Sequence, residues 1–103
     1  MNRLTETEIL SRVVEIVRKN ITADTSYKEF LFGSRASGKA NDRSDYDIGI
    51  KSEDDLQGSA LVNSQWDLED LPVLQKIELV DFNSVSEDFE RVASENMRVL
   101  YEQ

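Results

Sequence analysis

Segment 33–50, GSRASGKANDRSDYDIGI, leaves this chain few ways to fold. It follows the run Glu29-Phe30-Leu31-Phe32 and ends in a second apolar run, Ile48-Gly49-Ile50. Runs of this length bounded by a Gly-Ser pair and a polar loop suit strands. Asp45 and Asp47 lead into the second run. On a strand they share one face, because side chains alternate. Two carboxylates side by side repel unless a cation separates them, and hard divalent cations such as magnesium take such oxygen ligands together with substrate phosphates. A glycine turn after a strand exposes backbone N–H groups to a phosphate. Gly33-Ser34 and the two aspartates together point to phosphoryl or nucleotidyl transfer. A Gly turn followed by solvated acids is the plainer alternative.

At 103 residues with 39% apolar content, one domain over 1–103 with a modest core is expected. No apolar run reaches the ~18 residues of a membrane span. The start, MNRLTETEIL, lacks the apolar region of a secretory signal. Cysteine and histidine are both absent. This excludes disulfides, thiol catalysis, thiolate metal sites and any histidine base or ligand, and it fits the cytoplasm. Acid–base and metal chemistry falls to carboxylates, Lys, Tyr and Ser. The net charge of −9, from 21 acids and 12 bases, includes no basic cluster longer than Arg18-Lys19, which disfavours direct nucleic-acid binding. The acidity serves solubility, or a metal site and a basic partner.

Thr5 and Glu8 form a capping box. Ile9, Val13, Ile16 and Val17 recur at helical spacing to about Asn20. Strands are expected at 27–32, 45–51 and 76–82, with a short helix from Ser34 to about Ala40 and a loop over 41–44. A third helix is expected at 59–70, ended by Pro72. Trp66 on it stacks a base, or packs in a core or interface. A capping box at Ser84–Glu87 is expected to open a fourth helix, and a last strand is expected around Val99-Leu100-Tyr101. Strands alternating with helices imply α/β or α+β architecture with a small mixed sheet.

The order Gly-Ser, spacer, Asp-x-Asp resembles the signature of the nucleotidyltransferase superfamily. GSRASG…SDYDIG is similar to the pattern of its smallest branch, the minimal nucleotidyltransferases or MNT domains. The resemblance continues through KIELVDF (76–82) and Val99-Leu100-Tyr101-Glu102. It implies an α+β polymerase beta-like core and transfer of AMP from ATP to a hydroxyl with two magnesium ions. Asp45 and Asp47 would be the catalytic metal ligands, and Gly33 and Ser34 would bind the terminal phosphates. Arg35 adds a phosphate contact, or a surface salt bridge. The third metal ligand of the family falls on Glu78 rather than Asp81, which strand parity turns the other way. Where relatives carry Asp, Glu78 is a methylene longer, and an exposed strand acid is its other reading. Ser37 stands where many relatives have Arg, removing a positive charge near the triphosphate.

Larger members carry a helical domain that shapes the acceptor site, for which 103 residues leave no room. Another chain is therefore expected to complete the cleft. The family's usual companion is an all-helical HEPN toxin, adenylylated or simply bound by its MNT antitoxin. The alternatives are thus a protein-modifying enzyme, a binding module that neutralises by complex formation, and a small-molecule nucleotidyltransferase. The docking surface is expected to combine an acidic field with apolar residues such as Trp66 or Leu71. The sequence leaves a homo-oligomer open.

Overall fold

The computed structural model describes residues 4–56 and 58–103. Along the chain run α1 (Glu6–Asn20), β1 (Tyr27–Phe32), α2 (Ser34–Ser37), β2 (Tyr46–Ser52), α3 (Gly58–Glu69), β3 (Ile77–Asp81), α4 (Glu87–Ser94) and β4 (Arg98–Glu102). The strands form one sheet in the order β3-β2-β1-β4. β1 is antiparallel to both neighbours, while β2 and β3 are parallel. A parallel pair needs a long crossover, and α3 supplies it. The architecture is the expected α+β fold with a small mixed sheet. No helix among the described residues is long and apolar enough to cross a membrane.

Strand alternation divides the apolar residues between two faces. Leu31, Tyr46, Ile48, Ile50 and Ile77 meet Ile9, Leu10, Val13 and Val17 of α1 and Ala60 and Leu68 of α3. Burying each large side chain here contributes roughly 1.5–3 kcal/mol. The α1 start is fixed locally: Glu8 N donates to Thr5 Oγ1 at 3.2 Å and Thr5 N donates to Glu8 Oε1 at 3.1 Å. On the opposite face, Phe30, Phe32 and Phe82 form a second cluster with Val80, Val85, Ala93 and Met97. Gly49 lies beneath it, where a Cβ would overlap the Phe30 ring and touch Phe82. A glycine inside a strand marks such a close approach.

Several expectations need correction. α2 stops at Ser37, because the backbone leaves the helix at Gly38 while its N–H still bonds Ser34 O. Asp45 precedes β2 rather than opening it. The cap of α4 is Ser86, whose Oγ accepts from Phe89 N at 3.1 Å. Ser84 is engaged elsewhere, donating from Oγ to Asp81 Oδ2 at 3.1 Å. Trp66 is 69% exposed, with Val62 also exposed one turn before it. Leu71 packs against the core instead of standing on the surface.

Glu29 is the anomaly of the fold. It is fully buried on the helical side of β1, between Ile50 of β2 and Tyr101 of β4. Among the described residues, neither carboxyl oxygen has a hydrogen-bond partner, and the nearby Tyr27 hydroxyl is also unpartnered. Burial pushes the Glu29 carboxyl from its ordinary value near 4.5 up to about 8. The folded chain therefore holds a proton that the unfolded chain releases first. Full stability is kept below about pH 4.5 and is lost as pH rises towards about 8. Glu29→Gln should flatten this slope. Its melting temperature should exceed that of the wild type by a margin that widens between about pH 5 and pH 8. A margin that stays constant across that range would show that Glu29 does not titrate there.

Candidate active site

The β1–β2 register places Phe32 opposite Asp47. The chain then turns at Gly33, with φ +73°, and enters α2 at Ser34. A Cβ at position 33 would overlap Asp47 Oδ2 and lie 3.3 Å from its Cγ. The turn and the carboxylate are thus in direct contact, which the sequence suggested only as spacing. Glu78 of β3 pairs with Asp47 and shares its face. Asp45, exposed just ahead of β2, accepts from Lys76 N at 3.2 Å through Oδ1. The Asp47 carboxyl is raised above the usual carboxylate range, first by burial and then by the charges of Glu78 and Asp45. The three acids nominated by the sequence therefore act on one another.

Asp81 takes the other direction, opposite Ile50. It accepts from Asn83 N at 2.9 Å and from Ser84 Oγ at 3.1 Å, forming the turn after β3. Among the described residues, no three acidic side chains lie close enough together to hold a metal ion as they stand. Lys76 helps explain the spread: its N–H holds Asp45, and its Nζ lies 3.9 Å from Glu78 Oε2. The donor set of Asp45, Asp47 and Glu78 is all oxygen and mutually repulsive, which suits a hard divalent cation. Lys76 was missed by sequence reasoning, although its spacing of two from Glu78 on a strand was a usable signal.

Arg35 is tied down on all sides. Its side chain is 7% exposed, and Nη1 donates to Glu6 Oε2 at 3.1 Å. Nε donates to Ser44 O at 3.0 Å, and Nη2 donates to the carbonyls of Ser44, Asn41 and Asp42. The guanidinium also lies 3.9 Å from the centre of the Tyr46 ring. It clamps loop 41–44 so that Asp45 and Asp47 follow from a fixed point. A phosphate contact would require giving up some of these bonds. No sequence signal announced this, since most of its partners are backbone carbonyls. A hollow of about 730 Å³ lies beside Arg35, lined also by Leu4, Arg43 and Leu74, and none of the three acids borders it.

The pattern of the family described as Polymerase beta, Nucleotidyltransferase matches residues 11–103. The chain is 32% identical over 92 residues to the probable protein adenylyltransferase MntA of Haemophilus influenzae, covering 87% of this chain and 77% of that protein. A chain from a toxin–antitoxin crystal structure with AMP-PNP superposes at a TM-score of 0.72 with 23% identity, covering 91% of this chain and 73% of the other. A chain from a tri-AMPylated Shewanella oneidensis HEPN toxin in complex with MNT antitoxin gives 0.71 with 20% identity, covering 96% and 74%. At these identities the two structural matches speak for the fold.

The Gly33–Asp47 contact can be tested directly. Gly33→Ala places a Cβ against the carboxylate at a positive φ, a strain of about 1–3 kcal/mol. In a domain of this size that lowers the melting temperature by roughly 5–15 °C. Gly58→Ala, where an added Cβ meets nothing within 4 Å, should melt as the wild type does or slightly higher. If both variants melt alike, position 33 does not need glycine.

Proposed function

Because the chain belongs to the polymerase beta nucleotidyltransferase family, whose pattern covers nearly all of it, we propose that it is a magnesium-dependent protein adenylyltransferase and the antitoxin of a HEPN/MNT pair. One observation carries this: Asp47 sits between its register partner Glu78 and the Gly33 turn that touches it. The glycine turn, which would bind phosphate in this reading, thereby meets Asp47 and Glu78 at one point on the sheet.

Asp45, Asp47 and Glu78 would hold the magnesium. Magnesium bound there would supply charge neutralisation for the phosphates and the attacking oxygen. The Gly33 and Ser34 backbone, with the Ser34 hydroxyl, would bind the terminal phosphates. Arg35 serves by fixing the loop that delivers Asp45. In the transfer, an acceptor hydroxyl gives up its proton to a neighbouring carboxylate as its oxygen bonds the α-phosphorus of ATP, the bond to the bridging oxygen breaks, and pyrophosphate leaves. The acceptor is a Tyr, Ser or Thr hydroxyl of a helical HEPN-type partner. Support comes from the relatives, a probable protein adenylyltransferase and an AMPylated HEPN toxin in complex with an MNT antitoxin. The exposed Val62 and Trp66 of α3 offer apolar surface for such a partner.

The spread of the three acids favours a second reading, in which the chain neutralises its partner by binding alone. Co-incubation with a HEPN partner, ATP and magnesium separates the two. Intact mass spectrometry should show one or more AMP additions on the partner, abolished by Asp47→Asn. A tight complex without added mass, still neutralised by the Asp47→Asn chain, would establish the binding module instead.

A further inference from the structure

A second cavity, of about 330 Å³, opens between the Gly33 turn and α4. Phe89 and Val92 of α4 line it, and they are 44% and 60% exposed. A short amphipathic helix ordinarily turns such residues inward. Phe89 is nonetheless held in place, with its ring 6.1 Å from Phe32 and 5.7 Å from Phe82. Phe32 also lines the cavity, and it is the register partner of Asp47. The apolar wall therefore lies one strand away from the acidic row, about 5 Å across the same face of the sheet.

The cavity is charged at two places, and the charges are opposite in sign. Lys39 lines it on the side of the turn, and it makes no salt bridge among the described residues. Arg35, the other cation of this turn, is occupied by Glu6 and the loop carbonyls. Glu95 lines the cavity from the end of α4. A polyphosphate is attracted by the first and repelled by the second. A bound nucleotide would therefore keep its phosphates at the turn and direct its apolar end towards α4.

Building on the nucleotidyl-transfer reading, we propose that this cavity is the nucleoside compartment of the site, in which the base stacks on Phe89 against Val92 and Lys39 takes the phosphate tail. Lys39 then supplies the positive charge that Ser37 does not.

Calorimetry in magnesium with two probes, ATP and inorganic tripolyphosphate, tests this. Wild type should bind ATP more tightly than tripolyphosphate. Phe89→Ala should weaken ATP about tenfold, the usual scale for losing one stacked base, and leave tripolyphosphate unchanged. Val92→Gln, at a more exposed position, should weaken ATP several-fold with the same selectivity. It decides the matter if Phe89→Ala does not fold by circular dichroism. Lys39→Gln should weaken both probes. Unchanged ATP affinity in Phe89→Ala and Val92→Gln, or an equal loss of both probes in them, overturns the compartment while leaving the transfer reading standing. Wild type that binds neither probe overturns the transfer reading itself.

Discussion

The register of β1 against β2 is the constraint on which the rest depends. It brings Phe32 opposite Asp47, so the turn after one strand lands on the carboxylate of the other. Strand side chains alternate, and a slip of one residue would reverse the faces. Tyr46 and Ile48, which flank Asp47, are 2% and 0% exposed. Turning them outward and Asp47 inward would cost several kcal/mol in lost burial and a buried charge. The apolar residues beneath the sheet thus fix the position of an acid above it. α1 and α3 contribute to the site in this indirect way, although none of their side chains belongs to it.

The site-bearing face is itself divided. The rings of Phe30, Phe32, Phe82 and Phe89 cover β1 and its surroundings, while Asp47 and Glu78 occupy β2 and β3 and Asp45 lies just ahead of β2. An apolar wall beside charged groups lowers the local dielectric and strengthens their mutual effect. The shift of Asp47 reflects this, since burial outweighs either neighbouring charge. Gly49 permits the arrangement by letting the Phe30 ring lie close to the backbone of β2. Arg35 holds the opposite end, stacked on Tyr46 and bonded to the loop before Asp45.

What could be seen in advance followed physical range. Thr5 and Glu8 are three residues apart and cap each other, so the start of α1 was legible. Asp47 and Glu78 became neighbours by strand parity together with the family pattern. Asp45 was placed on a strand because its letters continue the alternation, but Lys76 N holds it before the strand begins. Ser84 and Glu87 have the spacing of a cap, yet Asp81 competes for the Ser84 hydroxyl and Ser86 takes the role. A salt bridge was one of the two readings for Arg35 and Glu6 supplies it, but the loop carbonyls that Arg35 also holds carry no sequence signature. For Trp66 both a core and a docking-surface place were open, since composition does not tell which side of α3 the core will claim, and the structure leaves it exposed.

β1 pairs with a strand made soon after it and with another made near the end of the described chain. Until β4 arrives, one edge of β1 stays open beside Glu29. In water that carboxylate is ionised at neutral pH; in the closed sheet it is not. β4 lays Tyr101 beside Glu29 and closes that edge. Folding that buries Glu29 is thereby coupled to proton uptake. A nascent chain that has emerged only as far as α4 carries an unsealed edge, the state in which strands pair with the wrong neighbour.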